Sequence, residues 1–468
     1  MISITAIELS LKRDDLSQQA QDRMTQRAVF GAAATAYLLL ALLYLVRVPI
    51  GRQPDELSHM EYIAFIANEK SFPVFQGREK GIYEAHQPPL YYLVCAPTYG
   101  VLHRFSHEAP ILAARFVSWL AGTGIVWLTF FIAQSMFPGR HLAQLSTTVL
   151  VAVLPIHLNI SASVGNDALA GLFSTLILTA LLTGTPRWSQ WRRSVLLGAL
   201  IGLSLLTKSG TVFLLPLTLV AFLLKEGTRA AGLKTAIGQF GIVLVVCLLV
   251  CGWWLVRNVN LYGDPFAIRA FNEGFAGSPH PSYFLDRGMS LESYVLMVAQ
   301  LTFMTFWGIF GEVNQSITRL GQMYATGQGV GVYLLLVTVF LVVTACPCVG
   351  LATYLRSLLP GRKTRGNWTA ELGKRPTVPI GSVVILAVGV LLAVAQYVQF
   401  NLIYFQAQAR YLHPMLPAIS CLAALGSPKS RTGDSSAWWL ALLITGLLLS
   451  SALNLTVWLT QPTLPLPY

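Results

Sequence analysis

Apolar stretches of about twenty residues recur along this chain from near residue 29 to residue 458, and a helix of that length is what the hydrocarbon core of a bilayer requires. Of the 468 residues 54% are hydrophobic and only 11% charged, too few polar groups to cover a water-soluble body of this size. The pattern predicts an all-α, polytopic membrane protein with about eleven crossings.

The chain carries 32 Lys and Arg against 20 Asp and Glu, a net charge of +12. These cations form no stripe beside aromatic platforms, which excludes nucleic acid as the partner they serve. They sit in short clusters between apolar runs, as expected when positive charge holds loops on the cytoplasmic side. Cys95, Cys247, Cys251, Cys346, Cys348 and Cys421 all lie in or beside apolar runs, and Cys346-Pro347-Cys348 has the wrong spacing for a zinc pair, so the cysteines are read as packing residues. The first apolar run follows a polar segment containing Lys12, Arg13, Asp14 and Asp15, and is expected to stay as an anchor rather than be cleaved.

Arg23 and Arg27 precede that run and place the amino terminus, 1–28, in the cytoplasm. The segment from Pro49 to Pro110 is too polar and too broken by Pro73, Pro88 and Pro89 to cross, so 49–109 becomes an external loop with interfacial helices, Leu90 to Leu102 among them. It belongs to a module spanning 29–256. Further spans are expected at 110–136, 142–160, 167–184, 194–207, 210–224, 235–256, 329–355, 378–400, 411–426 and 436–458. The cytoplasmic loops then hold Arg140; Arg187, Arg192 and Arg193; Lys225, Arg229 and Lys234; Arg356, Arg362, Lys363, Arg365, Lys374 and Arg375; and Lys429 and Arg431. A second external segment, 257–328, carries another apolar piece from Tyr294 to Phe310 lying on the surface or re-entering. The closing helices, 329–468, put the carboxyl terminus outside. A multi-pass protein of the plasma (inner) membrane is expected.

This orientation collects ionisable residues on the external side at the ends of spans. Asp55 and Glu56 open an amphipathic run containing His59, where an acid in the first turn is also what a helix cap would supply. Glu84-Ala85-His86-Gln87 stands ahead of Pro88-Pro89, and Asn166-Asp167 falls at a turn between two spans. Lys208, Arg257, Arg269, Arg287, Arg319 and Arg410 are external against the usual bias. Single cations there can snorkel to headgroups, but several beside carboxylates suit an anionic lipid headgroup, where Arg binds phosphate oxygens in pairs.

Taken in order, Pro54-Asp55-Glu56, His86-Gln87-Pro88-Pro89-Leu90-Tyr91-Tyr92, Ala114-Arg115-Phe116, Asn166-Asp167, Trp254-Leu255-Val256-Arg257-Asn258, Tyr262-Gly263-Asp264-Pro265 and Arg410-Tyr411-Leu412-His413-Pro414 resemble the GT-C superfamily of polyprenyl-phosphate-sugar-dependent glycosyltransferases, in the branch of protein O-mannosyltransferases and aminoarabinose transferases. The resemblance covers most of the chain. It implies a GT-C-like fold, a cavity at the outer membrane face, a sugar donor on a polyprenyl phosphate, and an acceptor that is a lipid, a glycan or a protein. Asp55 is the general base it implies, Glu56 and Asp167 are positioning or metal-capable acids, and Lys208, Arg257, Arg410 and Tyr411 are the donor-phosphate group. His59, His86 and Gln87 are candidate substrate contacts. Gln87 stands where the lysine-bearing branch has a cation, which shifts phosphate contact to Lys208, Arg257 or Arg410. No cofactor is assigned and metal dependence stays open, a divalent ion being compatible with the acids.

Sugar transfer needs a base for the acceptor hydroxyl and cations for the departing phosphate, where charge grows in the transition state. With no second acid required as a nucleophile, a single inverting displacement follows. The competing class is a transporter or flippase of an anionic lipid-linked substrate, which often shows paired repeats with broken helices; no convincing internal repeat is present. A membrane scaffold would leave the external acids and cations without a role.

Overall fold

The computed structural model describes residues 24, 27, 28, 30–183, 189–227, 229–308, 330–357, 378–426 and 435–459. Lys12, Arg13, Arg23, Arg187, Arg319, Arg362, Lys363, Arg365, Lys374, Arg375, Lys429 and Arg431 of the charge pattern lie outside these residues. Every regular element among those described is helical. In chain order they are α1 (Phe30–Arg47), α2 (Glu56–Glu69), α3 (Leu90–Leu102), α4 (Ala109–Met136), α5 (His141–Val153), α6 (Pro155–Ser161), α7 (Asp167–Leu182), α8 (Gln190–Thr207), α9 (Leu214–Glu226), α10 (Ala230–Tyr262), α11 (Ile268–Gly274), α12 (Pro281–Leu285), α13 (Leu291–Phe306), α14 (Val330–Ser357), α15 (Ile380–Ile403), α16 (Leu416–Gly426) and α17 (Ser435–Leu459). Short 3₁₀ turns at Tyr83–His86, Ser209–Phe213 and Ala409–Met415 precede α3, α9 and α16.

Six helices among the described residues are long and apolar enough to cross a bilayer: α1, α4, the continuous Ser209–Glu226, α10, the Leu335–Ala352 part of α14, and α15. The expected span 142–160 is instead broken, α5 and α6 meeting at 51°. The cause is Pro155, which has no N–H to give and pushes Leu154 into an extended conformation, φ −66° and ψ 121°. Counted as one span, this pair makes seven. The remaining expected crossings, at 167–184, 194–207, 411–426 and 436–458, correspond to α7, α8, α16 and α17, of which α7 and α16 are short. Leu90 to Leu102 forms α3 and the apolar piece beginning near Tyr294 forms α13, so both are helices as expected.

Small residues decide the closest packing. On α8, a side chain at Gly198 would meet the Val243 carbonyl of α10 at 2.7 Å, and one at Gly202 would meet Val250 at 2.7 Å. Glycines one turn apart thus let the two backbones approach, the usual route to helix association where lipid supplies no hydrophobic drive. Around this contact a core of α4, α7, α8, α9, α10, α15 and α16 side chains closes, while a second cluster joins α1, α4, α5, α6, α14 and α17. A third, built on Met60, Tyr62, Tyr91, Tyr92 and Tyr99, fixes α2 and α3 against α4.

With 33 residues, α10 is about 50 Å long. Its basic amino-terminal end carries Arg229 and Lys234; at the opposite end Arg257 and Tyr262 hold the 72–75 segment. The loop chemistry and the Lys/Arg cluster therefore lie at opposite ends of one helix.

A paired-charge site at one end of the bundle

The segment after α1 is locked by a buried ion pair. Arg115 of α4 donates from Nε to Glu56 Oε1 and from Nη2 to Glu56 Oε2, both at 2.7 Å, with both side chains essentially inaccessible. Its Nη1 donates to the carbonyls of Leu45 and Val48 at 2.9 Å, which otherwise end α1 unpaired. Glu56 accepts in turn from the Gly51 and Val164 backbone N–H groups. Every lone pair of the carboxylate is thereby engaged in holding three chain segments together.

One residue earlier, Asp55 adopts φ 59° and ψ 12°, the left-handed region that non-glycine residues seldom occupy. At the amino terminus of α2 its side chain makes no capping hydrogen bond. It turns instead to Arg410, whose Nη2 donates to Asp55 Oδ2 at 2.8 Å. Burial would raise the Asp55 carboxyl, but the Arg410 guanidinium opposes it and leaves the group below its ordinary value. Arg410 Nε is buried without a hydrogen-bond partner.

A second pair lies beside the first. Lys208, at the end of α8, donates to Asp167 at the start of α7. Tyr411 joins the two pairs: Lys208 Nζ stands 5.4 Å from its ring centroid and Arg410 Cζ 5.3 Å, each within cation–π range. Asp55, Asp167, Lys208, Arg410 and Tyr411 thus converge from four elements distant in sequence.

The 83–89 segment forms the adjoining wall. Asn166 donates to Gln87 Oε1 at 3.1 Å and to the Thr207 carbonyl at 3.0 Å, tying this turn to the ends of α7 and α8. His86 Nδ1 reaches the Tyr83 carbonyl, so its Nε2 is the acceptor for Gln87 Nε2 at 3.1 Å. His59 is buried, with Nδ1 2.9 Å from the Tyr92 hydroxyl. Burial pushes both His59 and His86 down to about 4, so each is a neutral imidazole near pH 7.

Glu84, marked in the sequence with His86 and Gln87 but given no role there, lies in this turn. It is 4% exposed and makes no ion pair among the described residues, and burial, reinforced by Asp55, pushes it up to about 8. The double proline that follows fixes a buried turn here rather than an open loop. Arg257 is placed apart from the paired charges. Its Nη2 donates to the Pro73 carbonyl at 2.7 Å, and its guanidinium stacks on Trp254 at 4.5 Å. It anchors the loop leading to Glu84. Beyond, a cleft of about 660 Å³ opens between this loop and the ends of α10 and α11, with Phe75, Arg78, Lys80, Tyr262 and Arg269 among its walls.

Among the described residues no group of three or more His, Cys, Asp or Glu side chains is placed to hold a metal ion. Cys95, Cys247, Cys251 and Cys421 are buried, as packing residues would be, and Cys346 is half-buried, whereas Cys348 is exposed, the opposite of a packing role.

Residues 86–255 match the family of dolichyl-phosphate-mannose-protein mannosyltransferases. This stretch includes Gln87, Asp167 and Lys208 but neither Asp55 nor Arg410. The structure is similar to that of the Archaeoglobus fulgidus oligosaccharyltransferase in complex with Zn and sulfate, with a TM-score of 0.54 and 13% identity over 93% of this chain. It is also similar to ArnT from Cupriavidus metallidurans bound to undecaprenyl phosphate, with a TM-score of 0.52 and 16% identity, covering 92% of this chain and 76% of that one. This chain spans 54% of the length of the archaeal protein. No curated protein matches the sequence. The fold is that of the GT-C glycosyltransferases.

Proposed function

We propose that this chain is a GT-C glycosyltransferase that moves a sugar from a polyprenyl-phosphate donor to an acceptor at the outer face of the plasma (inner) membrane, with inversion. The observation that carries this reading is the convergence of the Asp55–Arg410 and Asp167–Lys208 pairs on Tyr411. A site with two cations and two carboxylates offers both halves of the required chemistry. The donor phosphate takes Arg410 and Lys208 as its counter-charges, and the unpartnered Nε–H of Arg410 gives the guanidinium a further donor for a phosphate oxygen. The GT-C fold, and a solved relative bound to undecaprenyl phosphate, support a lipid-linked donor.

Asp55 is the base. Held by Arg410 in the free protein it is a weak one, because the cation stabilises the carboxylate. A phosphate engaging Arg410 competes for that charge, so donor binding frees Asp55 to accept the proton of an acceptor hydroxyl. The hydroxyl oxygen then forms its bond to the anomeric carbon, and the carbon–oxygen bond to the phosphate breaks with its electron pair on the phosphate. Arg410 and Lys208 stabilise the charge that grows there. Asp167 orients Lys208, and Glu56 sets the position of Asp55 through its lock on Arg115. His59, His86 and Gln87 line the approach. Among the described residues no three ligands are placed to hold a metal, and no step is assigned to one.

The test is incubation of the purified protein with a panel of polyprenyl-phosphate sugars, following release of free polyprenyl phosphate by mass spectrometry. Release that requires an acceptor supports the assignment. Passage of an intact lipid-linked sugar across a vesicle wall without cleavage would establish the transporter reading in its place.

A further inference from the structure

We infer that the buried imidazole pair His157–His413 is a positioning device for the phosphate-binding turn; this rests on the transferase reading above. His157 Nδ1 and His413 Nε2 are 2.9 Å apart, with ring centroids 5.2 Å apart and planes inclined by only 18°. The two residues are 0% and 3% exposed. They lie 256 positions apart in sequence and belong to different elements, α6 and the 3₁₀ turn Ala409–Met415. That turn also carries Arg410 and Tyr411.

The pair has a structural reason to be there. The break at Pro155 swings α6 away from the line of α5, and His157 is the third residue of the new helix. On the other side His413 presses on α7: a side chain at Gly171 would meet its ring at 2.6 Å, so only glycine lets the imidazole sit at this depth. Asp167, one turn earlier, acts on it through both its carboxylate charge and its backbone, and Lys208 lies within electrostatic range. His413 is therefore wedged between α6 and the first turn of α7, three residues from Arg410 and beside the acid that holds Lys208.

The outer nitrogens, His157 Nε2 and His413 Nδ1, are buried with only the backbones of Gly122 and Asp167 in reach, neither at full hydrogen-bond geometry. Two imidazoles left in that state within an apolar bundle are costly, and an aliphatic pair would pack the same volume without that cost. What the imidazoles add is direction: one hydrogen bond fixes the angle of the turn, and with it the height of Arg410 above Asp55 and of Tyr411 beside Lys208. A shift of about 1 Å in a charge that must meet a leaving group can lower a rate by about 10². The effect falls on turnover more than on donor binding, because charge grows on the phosphate only as it departs.

The experiment compares His413→Ala, His413→Gln, His157→Ala and the double variant His157→Ala/His413→Ala in the full-length chain, measuring kcat and KM for the polyprenyl-phosphate donor, with monodispersity checked for each. Gln places its amide near the position of Nε2, and so restores the hydrogen bond to His157. The inference predicts that each single Ala variant lowers kcat about tenfold or more while KM for the donor stays within about threefold. His413→Gln recovers most of the loss, and the double variant is no slower than the slower single one, as for residues acting as a unit. Multiplying losses in the double variant, an effect confined to KM, or folded single variants with wild-type kcat would each overturn it. A wild-type chain that releases no polyprenyl phosphate from any donor refutes the proposed function, and this inference with it. A wild-type chain that transfers sugar as well as its folded His413→Ala variant refutes this inference alone.

Discussion

Arg410 donates a hydrogen bond to Asp55 at 2.8 Å across 355 positions of sequence, closing the loop after the first helix onto the turn before α16. In this arrangement the cation proposed for the phosphate and the acid proposed as base restrain one another until a donor arrives.

Arg410→Ala is expected to weaken donor binding or turnover strongly, while Arg410→Lys keeps part of the function, because Lys retains the charge but not the planar fork. Isothermal titration with polyprenyl phosphate, together with initial rates, checks this. Equal binding and turnover in wild type and the Ala variant would remove Arg410 from the site.

Glu56→Gln and Arg115→Met are expected to damage folding rather than chemistry. Each leaves its buried partner without a counter-charge, at a cost of about 3–5 kcal/mol. Lower Tm and poor yield should result for both, with the double replacement Glu56→Gln/Arg115→Met more stable than Arg115→Met alone. A stable Glu56→Gln protein with lost turnover would instead make Glu56 part of the chemistry.

Glu84 sets a pH dependence whose sign is defined. Its carboxyl is raised from an ordinary 4.5 to about 8 in the folded protein. Between these values the folded state holds a proton that the unfolded chain has released, so stability falls as pH rises through this window and levels off above it. Glu84→Gln mimics the protonated acid and should flatten the dependence, raising Tm at pH 9 more than at pH 5. Parallel Tm profiles for variant and wild type would show that Glu84 is charged in the fold.

The orientation is open to labelling from the two sides of the membrane. A cysteine at Ser282, and one at Arg78 beside the cleft, should react with an impermeant reagent added outside, and one at Lys234 only after the membrane is opened. Reaction of the first two from the cytoplasmic side alone would place the paired charges on the wrong face for the proposed donor.

The helices were largely legible in the sequence because each is set by local hydropathy. The expected span 110–136 is α4 (Ala109–Met136), and the apolar piece Leu90 to Leu102 is α3 with the same bounds. The span expected at 142–160 breaks because Pro155 lies within it, a local signal outweighed in the reading by the apolar character around it. The site was legible only as a collection of residues. Asp55, Asp167, Lys208, Arg410 and Tyr411 could each be marked by their places at span ends, but which acid pairs with which cation is a property of packing between α7, α8 and the turn at Ala409–Met415. Asp55 could be read in the sequence as a helix cap or a functional acid; in the fold its side chain makes no capping hydrogen bond and accepts from Arg410 instead. Arg115 stood in a motif without a role, since its partner Glu56 lies 59 residues away. Arg257, grouped with the phosphate cations by its place at a span end, is engaged by the Pro73 carbonyl, a contact that no spacing rule reveals.

The most direct measurement of the central claim is the rate of sugar release from a polyprenyl-phosphate donor by Asp55→Asn, with donor affinity measured on the same preparation and Glu56→Gln run beside it. Asn tolerates the left-handed backbone that Asp55 occupies and caps a helix about as well as Asp, so the exchange removes the charge and little else. If Asp55 is the base, the variant folds, still binds polyprenyl phosphate and loses transfer by a factor of about 10² to 10⁴, the range for a general base. Transfer at the wild-type rate by folded Asp55→Asn would contradict that role and move the chemistry to Asp167.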